Sequence, residues 1–249
     1  MTPAVYAFDP YCGAPPAPVD LWARWNLDPW LLAAMALLVT AWTLGPARRA
    51  GSLRRTAFAA AVAVLLVSFV SPLCNLSSAL FSARVAHHTL LVAVAAPLLA
   101  AALGRGRGSG GAWPWLLIHA ATLWLWHAPA PYAWALGHPA AYWLMQVSLL
   151  APAILFWRAA LHATAPAAFA VLTVAMMQMG LLGALITFAS RPLYEPHLTT
   201  TVAWGLSALE DQQAAGLIMW VPAAGIYLLA ALWSAWVGLA ESRARPQPA

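Results

Sequence analysis

Seven histidines, two cysteines and seven carboxylates are the residues of this 249-residue chain best able to bind a metal ion or move protons. Six of the histidines, His87, His88, His119, His127, His138 and His197, fall within or beside connections that lead to one side of a series of apolar runs. His87 and His88 head one run, His127 closes the next, and Asp211 stands in the first turn of the last. If these runs cross a membrane, three helices bring imidazole or carboxylate to about the same depth, where copper, zinc, iron or nickel can be bound. The alternative for each histidine is an interfacial polar group bonded to a loop carbonyl. His119 lies two turns from His127, about 12 Å along the helix and turned by about 80°, as a second station on a path or a core histidine bonded to a neighbouring helix. His162 sits alone on the other side.

Soft ligands are also present. Cys12 and Cys74 share the side that carries the histidines, where a disulfide is chemically allowed; as free thiolates they suit a soft metal. Met219 follows Asp211 and Ala215 at helical spacing, and its thioether suits copper(I) or plain packing. Ser207 and Glu210 fit a capping box, so Asp211 has a structural alternative too, complementing a positive helix end.

The elements that position these residues follow from composition. With 63% hydrophobic residues, 8% charged residues and a mean hydropathy of +0.74, the chain cannot build a water-soluble surface. An all-α bundle of about seven transmembrane helices is expected. Spans long enough for a hydrocarbon core of about 30 Å read at Leu27–Leu44, Thr56–Pro72, His87–Leu103, Trp113–Trp126, Ala141–Trp157, Pro166–Phe188 and Ala214–Val237, the fourth the shortest. Tryptophans such as Trp30, Trp42, Trp126 and Trp220 sit near the ends of these runs, as an aromatic belt requires. The chain divides into an outer segment 1–26, a membrane domain 27–237 and a cytoplasmic tail 238–249. The first segment lacks a basic stretch followed by an apolar one, so no cleaved signal peptide is expected.

All twelve basic residues are arginines. Arg48, Arg49, Arg54, Arg55, Arg105, Arg107, Arg158, Arg243 and Arg245 fall on one side of the spans, and Arg24, Arg84 and Arg191 on the other, which puts the first set in the cytoplasm and the N-terminus outside. The net charge of +5 is thus an orientation signal, and membrane lipid, with no nucleic acid, is the expected environment. No hydrolase triad, phosphate-binding glycine loop or H-E-x-x-H motif is present, and no enzyme activity is expected.

The stretch Gly183–Gly225, GALITFASRPLYEPHLTTTVAWGLSALEDQQAAGLIMWVPAAG, resembles the membrane-embedded CtaG family of cytochrome c oxidase assembly factors, with DQQxAGLIMWVP its most specific part. WNLDPWLL, SPLCNLSSALFSARVAHHTLLVAVAAPLL and LWLWHAPAPYAWAL agree in order, so the similarity runs from Trp25 to about Leu229. The resemblance implies a multi-pass protein of a bacterial inner or plasma membrane that helps mature a haem-copper oxidase, with copper reaching the catalytic subunit. The soluble copper chaperones of the same name have a different fold.

The matching polar positions are His88, His127, Asp211, Gln212 and Gln213, with Trp220 and Pro222 in the same motif as structural or partner-facing residues. A metal site at His88, His127 and Asp211 is expected, with His87, His119, His197, Met219 and Cys74 as further candidates. The family's H-M-x-x-H pattern has Arg84 in its first position here, and a cation four residues before His88 repels a metal ion. The His and Glu usual in the fifth span are replaced near Tyr142–Gln146. Two rival readings follow: a metal-free scaffold binding an assembly intermediate, and a small metal or solute transporter using His119 and His127.

Overall fold

The computed structural model describes residues 8–104 and 111–244, and among them every regular element is helical. The helices are α1 (Pro29–Leu44), α2 (Ser52–Phe69), α3 (Pro72–Ala79), α4 (Phe81–Thr89), α5 (Ala96–Leu103), α6 (Ala112–His127), α7 (Pro129–Gly137), α8 (Pro139–Leu161), α9 (Ala165–Thr187), α10 (Ala208–Ile218) and α11 (Ala224–Ala244). A π-helical turn, Leu90–Ala95, joins α4 to α5, and a second, Met219–Ala223, joins α10 to α11. Both turns have a proline to accommodate. Pro97 follows the first and Pro222 lies inside the second; proline lacks an N–H and its ring crowds the carbonyl four residues back, which a wider turn relieves.

Six of these helical stretches are long and apolar enough to cross a membrane: Pro29–Arg49, Ser52–Phe69, Phe81–Leu103, Pro139–Leu161, Ala165–Thr187 and Ala208–Arg243. The expected fourth span is the 16-residue helix α6, which falls short of their length. Several boundaries differ from the sequence reading, and two of them bear on the site. The third span starts at Phe81, so His87 and His88 lie well inside it, and the last starts at Ala208, ahead of the expected Ala214. The connections Leu73–Ala86 and His127–Ala140 carry α3 and α7, each opened by a proline at its first turn, where the missing N–H needs no partner.

Large apolar side chains such as Leu37, Leu117, Leu185, Leu229 and Trp233 are exposed on the outside, while Arg84, His87, His88 and Asp211 are buried inside. That inversion suits a lipid solvent. At one end of the bundle Arg54 donates to the carbonyls of Ala102 and Leu103 at 2.7 and 2.9 Å, and Arg158 to that of Gly104 at 2.9 Å. These cations satisfy the last carbonyls of α5. They also bring the start of α2 and the ends of α5 and α8 to one level. Gly104 itself adopts φ +65°, which a glycine takes without strain.

At the opposite end, residues 8–28 lie against α3 and α8. Cys12 and Cys74 form a disulfide with a Cα–Cα separation of 5.4 Å. Asn75 Nδ2 donates to the carbonyls of Cys12 and Ala14, and Tyr11 stacks on Tyr142 at 4.9 Å between centroids. Where α9 crosses α10 the backbones nearly touch: a Cβ added to Gly216 would meet the Gly183 carbonyl at 2.6 Å, and one added to Gly183 would meet the Gly216 carbonyl at 2.8 Å. Small residues at such a crossing let membrane helices approach closely.

Candidate functional site

The polar interior gathers near the end of the bundle that carries the disulfide. His88, on α4, and His127, the last residue of α6, have ring centroids 5.3 Å apart in an edge-to-face arrangement. His87 follows at 5.8 Å from His88 and packs edge-on to Phe69 at 5.0 Å. All three imidazoles are buried. His127 Nδ1 lies 2.7 Å from the Leu123 carbonyl, one turn back. A carbonyl only accepts, so Nδ1 carries the proton and Nε2 presents its lone pair. Among the described residues that Nε2 has no hydrogen-bond partner, nor does either nitrogen of His87 or His88. Neutral, buried imidazole with a free lone pair is the form that binds a transition metal.

Asp211 is differently employed. Its carboxylate accepts from the backbone N–H of Phe81 at 2.6 Å, from that of Ser82 at 3.2 Å, and from the Ser82 hydroxyl. These are the first amides of α4, whose N-cap residue, Leu80, offers no side-chain acceptor. A carboxylate from α10 therefore caps α4 and meets its positive end. Of the expected set His88, His127 and Asp211, the structure brings the two histidines together and engages Asp211 at the start of the helix that carries one of them. The capping box at Ser207 and Glu210 forms as expected, leaving Asp211 free for this cross-helix role.

Other expected ligands have partners. His197 is held on both sides, with Nδ1 3.2 Å from the Ala79 carbonyl and the Tyr132 hydroxyl 2.6 Å from Nε2. Burial pushes its pKa down to about 3, against the opposing pull of the Ala79 carbonyl. His119 Nε2 is 2.9 Å from the Tyr227 hydroxyl. Cys74 has no thiolate to offer while bonded to Cys12. Met219 is buried at the start of the second π turn. Among the described residues no group of three or more His, Cys, Asp or Glu side chains is arranged to hold a metal ion, so the histidine pair, not a triad, is what the geometry offers.

Gln212 ties the α9–α10 connection to α10. Its Oε1 accepts from Leu193 N at 2.7 Å, and its Nε2 donates to the carbonyls of Ile186 and Arg191, each at 3.3 Å. Gln213 is half-buried beside it. Trp220 packs edge-to-face on Phe188 at 5.6 Å and covers Gly180, while Pro222 fits the π turn. The DQQxAGLIMWVP motif thus supplies a cap, a loop clamp, a glycine crossing and a proline-bearing turn.

The sequence reading missed what surrounds Arg84. This residue is fully buried, its guanidinium carbon 5.3 Å from the centre of the Tyr142 ring. Tyr142 and Gln146 are spaced i, i+4 on α8, and two polar residues one turn apart inside an apolar run were the available signal. Phe81, Tyr132 and Tyr194 form an aromatic cluster beside the histidines: Phe81 stacks on Tyr194 at 3.7 Å, and the Tyr194 hydroxyl donates to the His127 carbonyl at 2.8 Å. Deeper, the first π turn frees the Val92 carbonyl, which accepts from Trp157 Nε1 at 2.8 Å and from the Tyr227 hydroxyl at 3.4 Å.

Against known proteins, the family model described as "Cytochrome c oxidase caa3 assembly factor (Caa3_CtaG)" matches residues 35–105 and 111–239. No curated protein and no solved structure matches the chain.

Proposed function

We propose, from the premise that this chain belongs to the family of cytochrome c oxidase caa3 assembly factors, that it is a non-enzymatic factor holding copper as cargo for a haem-copper oxidase subunit. It works in a bacterial plasma membrane, with α6 as a seventh span, the N-terminus outside and the arginine-rich end in the cytoplasm. The single observation that carries the copper reading is the His88–His127 pair, whose unpartnered nitrogens include the lone pair of His127 Nε2. Two imidazoles suit a copper ion that is to be passed on, because few ligands must be exchanged on release. Asp211 keeps the start of α4 in place, and the aromatic cluster keeps water from the pair.

One observation favours a second reading. Arg84 lies one turn before His88 and its cation opposes a metal ion there, which suits a metal-free scaffold binding the oxidase intermediate through its outer aromatic residues. A clean deletion strain tests both. The catalytic subunit should still be synthesised while oxidase activity falls, and His127→Ala should reproduce much of the loss. Partial rescue by added copper supports delivery. A scaffold predicts instead no rescue, with greater damage from Trp134→Ala, an exposed outer aromatic, than from His127→Ala. Normal oxidase activity in the deletion strain, with no related gene to substitute, defeats both readings.

A further inference from the structure

Arg84 is fully buried, and none of Nε, Nη1 or Nη2 has a hydrogen-bond partner among the described residues. Arginine does not give up its proton, and an uncompensated cation in a low-dielectric interior is strongly unfavourable. The chain has seven carboxylates, and none pairs with it. Asp211 is engaged by α4, Asp28 by Tyr11, Glu210 by Ser207 and Asp20 by Arg24. The Tyr142 ring offers its face at 5.3 Å, which attracts the cation, and the hydroxyls of Tyr132 and Tyr142 lie beside the guanidinium without closing a hydrogen bond to it. One turn along from these two residues lie His88 and Gln146, and His87 is adjacent; all three side chains are buried with unpartnered donors.

We infer that Arg84 holds a small inorganic anion of the halide class, with N–H groups of Gln146 and of a neutral imidazole, His87 or His88, completing its shell. The donor set is suited to this: a fixed positive charge with amide and imidazole N–H groups, the nearby Asp211 carboxylate being already engaged by the first amides of α4. A small ion fits better than the carboxylate of a partner chain. Tyr142 is fully buried, and Tyr11 stacks on it from the N-terminal segment that the Cys12–Cys74 disulfide fastens down. The anion would also offset the repulsion that Arg84 exerts on a cation at His88. That consequence rests on the copper reading; the anion site does not.

The test uses the purified full-length protein in detergent. Thermal unfolding is followed as chloride is replaced by gluconate at constant ionic strength, in the wild type and in Arg84→Met. Crystals of the wild type soaked in bromide are measured at the bromine absorption edge. Chloride should raise the wild-type melting temperature progressively, as ligand binding to the native state requires, with little effect on Arg84→Met, and an anomalous peak should lie beside the guanidinium. If Arg84→Met does not fold, the bromide peak decides the matter. No peak at Arg84, or the same chloride response in both proteins, overturns the inference. So does tyrosinate absorbance at neutral pH, which would assign the counter-charge to Tyr132 or Tyr142. Copper-free protein serves throughout, so the result is independent of copper binding.

Discussion

Replacing Asp211 separates its helix-capping role from a role in metal binding. In Asp211→Ala the backbone N–H groups of Phe81 and Ser82 lose their acceptor, and each buried amide left unmade costs about 1–3 kcal/mol. The expected destabilisation is therefore about 2–6 kcal/mol. Asp211→Asn keeps one acceptor oxygen but loses the charge that meets the end of α4, and should cost about 1–3 kcal/mol. Unfolding of the purified protein in mixed micelles, titrated with a denaturing detergent, measures both. Folded Asp211→Asn should bind copper as the wild type does, because the histidine pair is intact. Wild-type stability in Asp211→Ala, or an Asp211→Asn protein that is stable but binds no copper, would refute the capping argument and return Asp211 to the ligand set.

Gly216→Ala should destabilise the bundle by at least about 1–3 kcal/mol, the usual range for overpacking, because its Cβ would meet the Gly183 carbonyl at 2.6 Å; a lowered melting temperature checks this. His197, with its pKa pushed down to about 3, stays neutral when folded but takes up a proton below about pH 6.5 when unfolded. Its contribution is intact above that pH and falls toward pH 3 by up to about 1.4 kcal/mol per unit. His197→Gln should remove one proton's worth of slope from stability measured between pH 6.5 and 4.5. The disulfide spans 62 residues, and the chain-entropy relation gives it about 4 kcal/mol relative to the reduced unfolded chain. Both sulfurs are buried in the folded chain, so after reduction Cys12, on the released N-terminal segment, should react first with a membrane-impermeant thiol reagent added outside; labelling from the cytoplasmic side alone contradicts the orientation.

The sequence makes the membrane bundle legible because apolar length is a local property: the runs at Ala141–Trp157 and Pro166–Phe188 lie within α8 and close to α9. The helices α3 and α7 were hidden because eight or nine residues carry too little periodicity, although Pro72 and Pro129 marked their starts. His88 and His127 could be placed at a common depth from helix ends, but their 5.3 Å approach depends on how α4 and α6 pack. The capping role of Asp211 is hidden for a similar reason. Its own helix has a complete capping box, and the helix that needs it begins 130 residues earlier, after a leucine that cannot cap. The disulfide was one of the states open to two cysteines on the same side. Nothing local reveals that Arg84 lies beside Tyr142, 58 positions away.

Copper(I) titration of the purified, chelator-stripped protein, with X-ray absorption of the loaded form, tests the central claim most directly. One copper per chain with nitrogen neighbours is expected, with binding lost in His88→Ala and in His127→Ala while both variants remain folded. A wild-type protein that binds no copper, or one whose binding is unchanged in both variants, would contradict it.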